Sequence, residues 1–243
     1  MKSIKPIYHP KGRAAEYSPL ALNLYRGCGH NCVYCYCASI LQMPDEKFQK
    51  PEPRKDIILN LQRGAANLKA SGQIEPVLLC FTCDPYQPID TEFQLTRQAI
   101  EVLHHYGIPV QILTKGGLRA IRDFDLLGPN DRFAVTLTFI DDKLSKTWEP
   151  NAAPPSERIA TLHGAKLDGI PTWVSLEPVL DPAQSLEIIK QTHDVVDIFK
   201  VGKLNYHPMA RQINWRKFAQ SAIETLKQYD CHYYLKQDLR ELL

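Results

Sequence analysis

Four of the chain's seven cysteines, Cys28, Cys32, Cys35 and Cys37, fall within ten residues. The stretch Cys28-Gly29-His30-Asn31-Cys32-Val33-Tyr34-Cys35 spaces three thiols as C-x-x-x-C-x-x-C. Thiolates are the protein ligands of iron–sulfur clusters, and an electron-transfer cluster takes four of them. Three leave one iron without a protein ligand, and an open position is what a substrate-binding metal needs. Gly27 and Gly29 let the backbone wrap tightly around such a group. A second reading stays open: Cys80 and Cys83 form another C-x-x-C pair, and with Cys32 and Cys35 they make four thiolates suited to structural zinc. Cys28 is then surplus. Cys37, beyond the motif, reads as a small buried hydrophobe. An odd cysteine count with no export signal argues against a disulfide framework.

Something must hold those thiols in place. Short runs rich in Val, Ile, Leu, Phe and Thr predict strands at Ala21–Tyr25, Val77–Phe81, Val110–Thr114, Phe133–Thr138, Thr172–Leu176 and Asp197–Val201, with His232–Lys236 as a possible seventh. Helical patterns lie between them. Glu92–Tyr106 places Phe93, Ala99, Ile100 and Leu103 on one face, Ser156–Leu167 takes Ser156 as N-cap, Ser185–Thr192 follows, and Asn214 caps a helix running to Gln228. Six β–α units imply parallel strands with right-handed crossovers, so the fold class is α/β: a partial (β/α)6 barrel with helices outside. Without a linker, repeat or low-complexity tract, residues 1–243 read as a single domain, with a core at about 20–205 and a C-terminal extension at 206–243. Reactive groups belong at the C-terminal ends of the strands. The apolar share of 44% and charged share of 23% are those of a soluble globular chain. No apolar run reaches the roughly 20 residues that span a bilayer, and the polar start from Met1 to Pro10 does not read as a signal. The expected location is cytoplasmic, with no membrane partner. A net charge of +2 makes no global argument for nucleic acid.

The cysteine spacing after the first strand, with Tyr34 directly before Cys35, resembles the radical S-adenosylmethionine (SAM) enzymes. The resemblance implies the same partial barrel and a 4Fe–4S cluster on Cys28, Cys32 and Cys35. It further implies SAM chelating the open iron through its amino and carboxylate groups, reductive cleavage to a 5′-deoxyadenosyl radical, and an external electron donor of flavodoxin or ferredoxin type. The segment Thr82-Cys83-Asp84-Pro85-Tyr86-Gln87-Pro88, Leu113-Thr114-Lys115 and Glu177-Pro178 narrow the likeness to the branch containing spore photoproduct lyase, in segments from about Leu20 to Asn205.

That branch implies roles for residues at the strand ends. Lys115 would meet the SAM carboxylate as a point charge. Thr82, Cys83 or Asp84 would receive its amino group or ribose hydroxyls. Thr136 and Thr138 share a strand face, and either one contacts SAM or both are satisfied strand threonines. Glu177 meets ribose or substrate, or else is structural. Tyr34 lies along the adenine or packs in the core. Tyr36 and Cys83 are the catalytic candidates; Tyr86, Lys203, Asn205 and His207 are those for substrate. One departure matters. Spore photoproduct lyase has a hydrogen-donating cysteine just before its Thr-x-Asp, where this chain has Phe81. Cys83 points to the same face as Phe81 on an extended strand and Cys80 to the other, so Cys80 reads as packing. Thymine-dimer repair is therefore not expected. The substrate suggested by the resemblance is a nucleic-acid base, with a small metabolite, peptide or RNA as the alternative. Arg26, Lys47, Lys50, Arg54, Lys55 and Lys203 are the basic residues that could edge the mouth.

Overall fold

The structure, a computed structural model, describes residues 5–243; residues 1–4, where the polar start begins, lie outside the described residues. In chain order the strands are β1 (Ile7–Tyr8), β2 (Leu20–Leu22), β3 (Tyr25–Arg26), β4 (Glu52–Pro53), β5 (Val77–Leu79), β6 (Val110–Thr114), β7 (Arg132–Thr136), β8 (Thr172–Leu176), β9 (Ile198–Val201) and β10 (Tyr233–Leu235). Eight of them form one sheet in the order β1-β2-β5-β6-β7-β8-β9-β10. Every pairing from β2 to β10 is parallel, and β1 runs antiparallel on the edge. The helices are α1 (Cys37–Ile40), α2 (Asp45–Phe48), α3 (Ile57–Ala70), α4 (Asp90–Phe93), α5 (Leu95–His105), α6 (Asp142–Trp148), α7 (Pro155–Leu167), α8 (Pro182–Thr192), α9 (Trp215–Gln228) and α10 (Gln237–Arg240). This is the expected α/β partial barrel, with β10 as the added parallel strand. Among the described residues no helix is long and apolar enough to cross a membrane.

Alternation along the strands sorts two cores. Leu22, Leu79, Ile112, Phe133, Val174 and Val201 join the apolar core in which the helices pack on the sheet. Each such side chain contributes roughly 1.5–3 kcal/mol on burial. The intervening positions, Ala21, Leu78, Ala134 and Trp173 beside Gln111, Ser175 and Lys200, enclose an interior of mixed polarity. The Tyr17 carbonyl accepts from Gln111 Nε2 at 2.8 Å and Lys200 Nζ at 3.0 Å, and the Tyr17 hydroxyl meets Ser175 Oγ at 3.0 Å. Tyr17 comes from the N-terminal segment, which therefore plugs the barrel from within.

The elements differ from the sequence reading in instructive ways. The first strand stops at Leu22 because the Asn23 side chain takes the next neighbour's amides: its Oδ1 accepts from Phe81 N and Thr82 N at 2.9 and 2.8 Å. Tyr25 and Arg26 pair instead with Pro53 and Glu52, closing an insertion around the cysteines. The helix expected over Glu92–Tyr106 breaks at Gln94, whose φ is 48°, and Phe93 is exposed rather than on the buried face. Ser156 does not cap its helix; Pro154 holds that position, while Ser156 N and Oγ donate to Asp142. The next helix starts earlier than expected, at Pro182, capped by the Asp181 carboxylate, whereas Asn214 caps α9 as expected. Helices α3 and α6 are absent from the sequence reading. In α3 the buried Ile57, Leu61 and Ala65 recur every four residues, but Gly64 and charged flanks dilute the pattern.

Candidate functional site

The cysteine loop is fastened on every side. Cys28 N donates to Phe48 O at 2.8 Å, Val33 N to Trp148 O at 2.8 Å and Asn151 N to His30 O at 3.1 Å. Gly29 N donates to Oε1 of the fully buried Gln87 at 2.8 Å. Gly27 sits at φ +93°, and a Cβ there would lie 2.4 Å from the Phe48 carbonyl oxygen, so only glycine fits. His30 is buried between Arg119 Nη2, 3.1 Å from its Nε2, and Asp84 Oδ2, 3.5 Å from its Nδ1. Burial pushes its pKa down to about 4, so it is neutral.

Cys28, Cys32, Cys35, Thr82, Cys83, Asp84, Lys115 and Thr136 line one cavity of about 140 Å³ at the C-terminal ends of the strands. Cys37 and Cys80 line it too, Cys80 from the edge of the apolar core in which it packs as expected. The strand ends at Leu79, so the alternation no longer applies beyond it. Burial raises the Cys28 and Cys32 thiols, Cys32 to about 12, whereas a hydrogen bond from Cys37 holds Cys35 down to about 6. Among the described residues no three His, Cys, Asp or Glu side chains converge as on a single ion. Asp84 is fully engaged, accepting from Thr114 Oγ1 at 2.6 Å, Lys115 N at 2.7 Å and Tyr86 N at 2.9 Å. It positions the Lys115 backbone. Thr82 Oγ1, by contrast, is buried with no partner, a polar atom that a ligand in this cavity would satisfy.

Lys115 is set by a buried network that the sequence reading lacks. Glu149, fully buried, meets Arg158 Nη2 at 2.6 Å and Lys115 Nζ at 4.0 Å. It also accepts from the Tyr34 hydroxyl, Ser145 Oγ at 3.1 Å and Thr138 Oγ1 at 3.3 Å. Burial alone would raise the Glu149 carboxyl, but Arg158 and Lys115 outweigh it and hold it low. One carboxylate thus faces two cations, and Arg158 already neutralises it. Lys115 presents its ammonium to the cavity, 5.7 Å from the centre of the Tyr34 ring, with the Asp84 carboxylate on the same wall. A signal existed for Arg158: it lies on the buried face of α7 with Leu162 and Ala165, an odd place for a charge.

A second, overlapping cavity of about 170 Å³ shares Tyr34, Lys115 and Thr136 and continues to Tyr17, Tyr36, Glu177, Lys203 and Asn205. Lys236, one residue past β10 as Lys115 is one past β6, ion-pairs with Glu177. Three expected site residues lie elsewhere. The Tyr86 ring is buried 5.8 Å from the Arg122 guanidinium, drawn into the core by the turn that Asp84 makes. Thr138 is occupied by Glu149 and Tyr34. His207 packs on Trp148 with its Nδ1 accepting from Met209 N, which caps the short helical turn Pro208–Gln212. Of the basic residues, Arg26, Arg54 and Lys55 line a separate cavity, Lys47 and Lys50 are exposed, and Lys203 reaches the site.

A parallel partial barrel with a three-cysteine loop at its C-terminal mouth defines a class of cofactor-dependent enzymes. The family model described as the radical SAM superfamily matches residues 22–196, and the chain belongs to that superfamily. Membership implies SAM and an iron–sulfur cluster. An uncharacterized protein of Methanocaldococcus jannaschii is 25% identical across 95% of this chain and 93% of its own length. One from Mycobacterium tuberculosis is 30% identical across 65% of this chain, which spans about half (49%) of that relative. Among solved structures, a double mutant of spore photoproduct lyase with bound SAM and dinucleoside spore photoproduct superposes with a TM-score of 0.75, at 12% identity, over 97% of this chain and 80% of that one. Streptococcus suis SuiB bound to SAM gives 0.69, at 13% identity, over 89% of this chain and 49% of that one. At such identities the likeness is one of fold.

Proposed function

We propose that the chain is a radical SAM enzyme of the spore photoproduct lyase-like kind. Cys28, Cys32 and Cys35 hold a 4Fe–4S cluster, and SAM lies across the two overlapping cavities. The observation that carries this is the convergence, on one cavity, of three motif thiols, the ammonium of Lys115 and a partnerless buried hydroxyl at Thr82. Together the cluster and SAM supply a reductively generated 5′-deoxyadenosyl radical that abstracts hydrogen from a substrate. The protein's part is to bind and orient. Lys115 receives the carboxylate of SAM, Thr82 a polar group beside it, and Thr136 and Tyr34 flank the nucleoside. Glu177 keeps one oxygen, Oε1, free of both Lys236 and Tyr17 for a hydroxyl of ribose or substrate. Cys83 and Cys80 stand on the walls of the cysteine cavity as candidates to return a hydrogen atom.

A nucleic-acid base is the leading substrate, by likeness of fold and motif; a small metabolite, peptide or RNA is the alternative. Phe81 at the donor cysteine's place argues against thymine-dimer repair. Because Cys80 and Cys83 share the cavity with Cys32 and Cys35, a zinc site is the competing reading. Anaerobic reconstitution with iron and sulfide separates the two. The account expects a brown protein whose iron is lost in Cys28→Ala and kept in Cys80→Ala. A colourless protein holding zinc through Cys80 and Cys83 would overturn it.

A further inference from the structure

The second cavity extends past the wall it shares with the cysteine cavity, and its far wall carries two charged groups, Glu177 and Lys203. Glu177 is already answered by the Lys236 ammonium and the Tyr17 hydroxyl. Lys203 is not. Half-buried, it takes part in no ion pair among the described residues, and its Nζ stands 5.5 Å from the centre of the Trp215 ring. The neighbouring Asn205 cannot neutralise it: its Nδ2 donates to the Lys203 carbonyl at 3.2 Å and to Asp238 Oδ2 at 3.3 Å. Asp238 in turn pairs with Arg13 Nε at 3.5 Å. The far wall therefore holds one cation without an anionic partner among the described residues, and a half-buried cation lowers its energy by meeting an anion. Tyr36, on the same cavity, has a hydroxyl with no hydrogen-bond partner among the described residues, which adds a second donor.

Lys115 stands on the shared wall, where the carboxylate of SAM accounts for it. Lys203 is thus left for the other molecule. Resting on the reading of these cavities as the SAM site, we propose that the substrate carries an oxyanion, a carboxylate or a phosphate, received by the Lys203 ammonium and the Tyr36 hydroxyl. The substrate is then an acid or a phosphate ester rather than a neutral nucleoside.

Sodium phosphate and sodium acetate are the probes, titrated at constant ionic strength into anaerobically reconstituted, SAM-saturated protein. Binding is read from tryptophan fluorescence, since Lys203 stands over Trp215. A saturable response is expected to one salt or both, weakened about tenfold or more in Lys203→Gln and largely restored in Lys203→Arg. Preference for phosphate points to a nucleotide-like substrate, and preference for acetate to a carboxylic acid. An affinity unchanged in Lys203→Gln, or a wild type that binds SAM yet answers neither salt, overturns the proposal. Iron content and SAM binding on the same samples keep the failures apart: a wild type without cluster or SAM defeats the underlying reading and this assignment with it.

Discussion

Arg158 is held wholly inside the protein, by two hydrogen bonds and one ion pair. Its Nε donates to Ala153 O at 2.7 Å, Nη1 to Thr136 O at 2.9 Å, and Nη2 meets Glu149. Removing it leaves Glu149 charged in a buried place with the more distant Lys115 as its remaining cation, and breaking such a pair from one side costs about 3–5 kcal/mol. Arg158→Met is therefore expected to lose that much in urea unfolding, with the cluster less firmly held because Tyr34 loosens. A loss below about 1 kcal/mol would mean that the network is replaceable packing. At this scale the sequence was legible where chemistry is local. The three cysteines, Lys115 and Thr82 stand in short motifs at strand ends, and the fold brings them together. Glu149, Arg158 and Lys236 were not legible, because each matters only through partners far along the chain. Tyr86 and His207 were misread for the same reason: a residue beside a motif can turn into the core.

Elements obey simpler rules. Central strands were readable from composition, and β6 and β8 fall on their expected residues; ends drifted where a side chain, such as Asn23, took over the backbone's partners. The cysteine loop depends on one backbone conformation. Gly27→Ala would place a methyl against the Phe48 carbonyl at a positive φ, so reconstituted iron should fall sharply while circular dichroism stays unchanged; full iron loading would contradict this reading. Asp131 ties α5 to the start of β6, accepting from His104 Nε2 at 3.0 Å, Val110 N at 2.8 Å and Gly128 N at 2.9 Å. Burial would raise its carboxyl, but these donors prevail and hold it below the ordinary value. Its contribution is then present above the unfolded value of about 3.9 and is lost as pH falls through the depressed folded value. Asp131→Asn should unfold about 1–3 kcal/mol more easily at neutral pH, and the gap from wild type should close in acid. A gap independent of pH would refute the assignment.

Across the whole molecule, an early and a late segment of the chain, around Tyr17 and Lys236, meet at the barrel. Tyr17 and Glu16 from the N-terminal segment touch Glu177, Lys236 and Tyr234, the Lys236 ammonium lying 3.6 Å from the Tyr17 ring centre. The extension after β9 is thus part of the site's frame. Lys236→Met is expected to destabilise less than Arg158→Met, because Tyr17 still bonds to Glu177, whose side chain is 15% exposed; the reverse order in urea unfolding would contradict this. The reaction itself is the most direct test. Without oxygen, reconstituted protein given SAM and dithionite should form 5′-deoxyadenosine, and a Cys32→Ala control should form none. Equal product from both, or none from a wild type carrying a full cluster and bound SAM, would contradict the proposal that this barrel cleaves SAM.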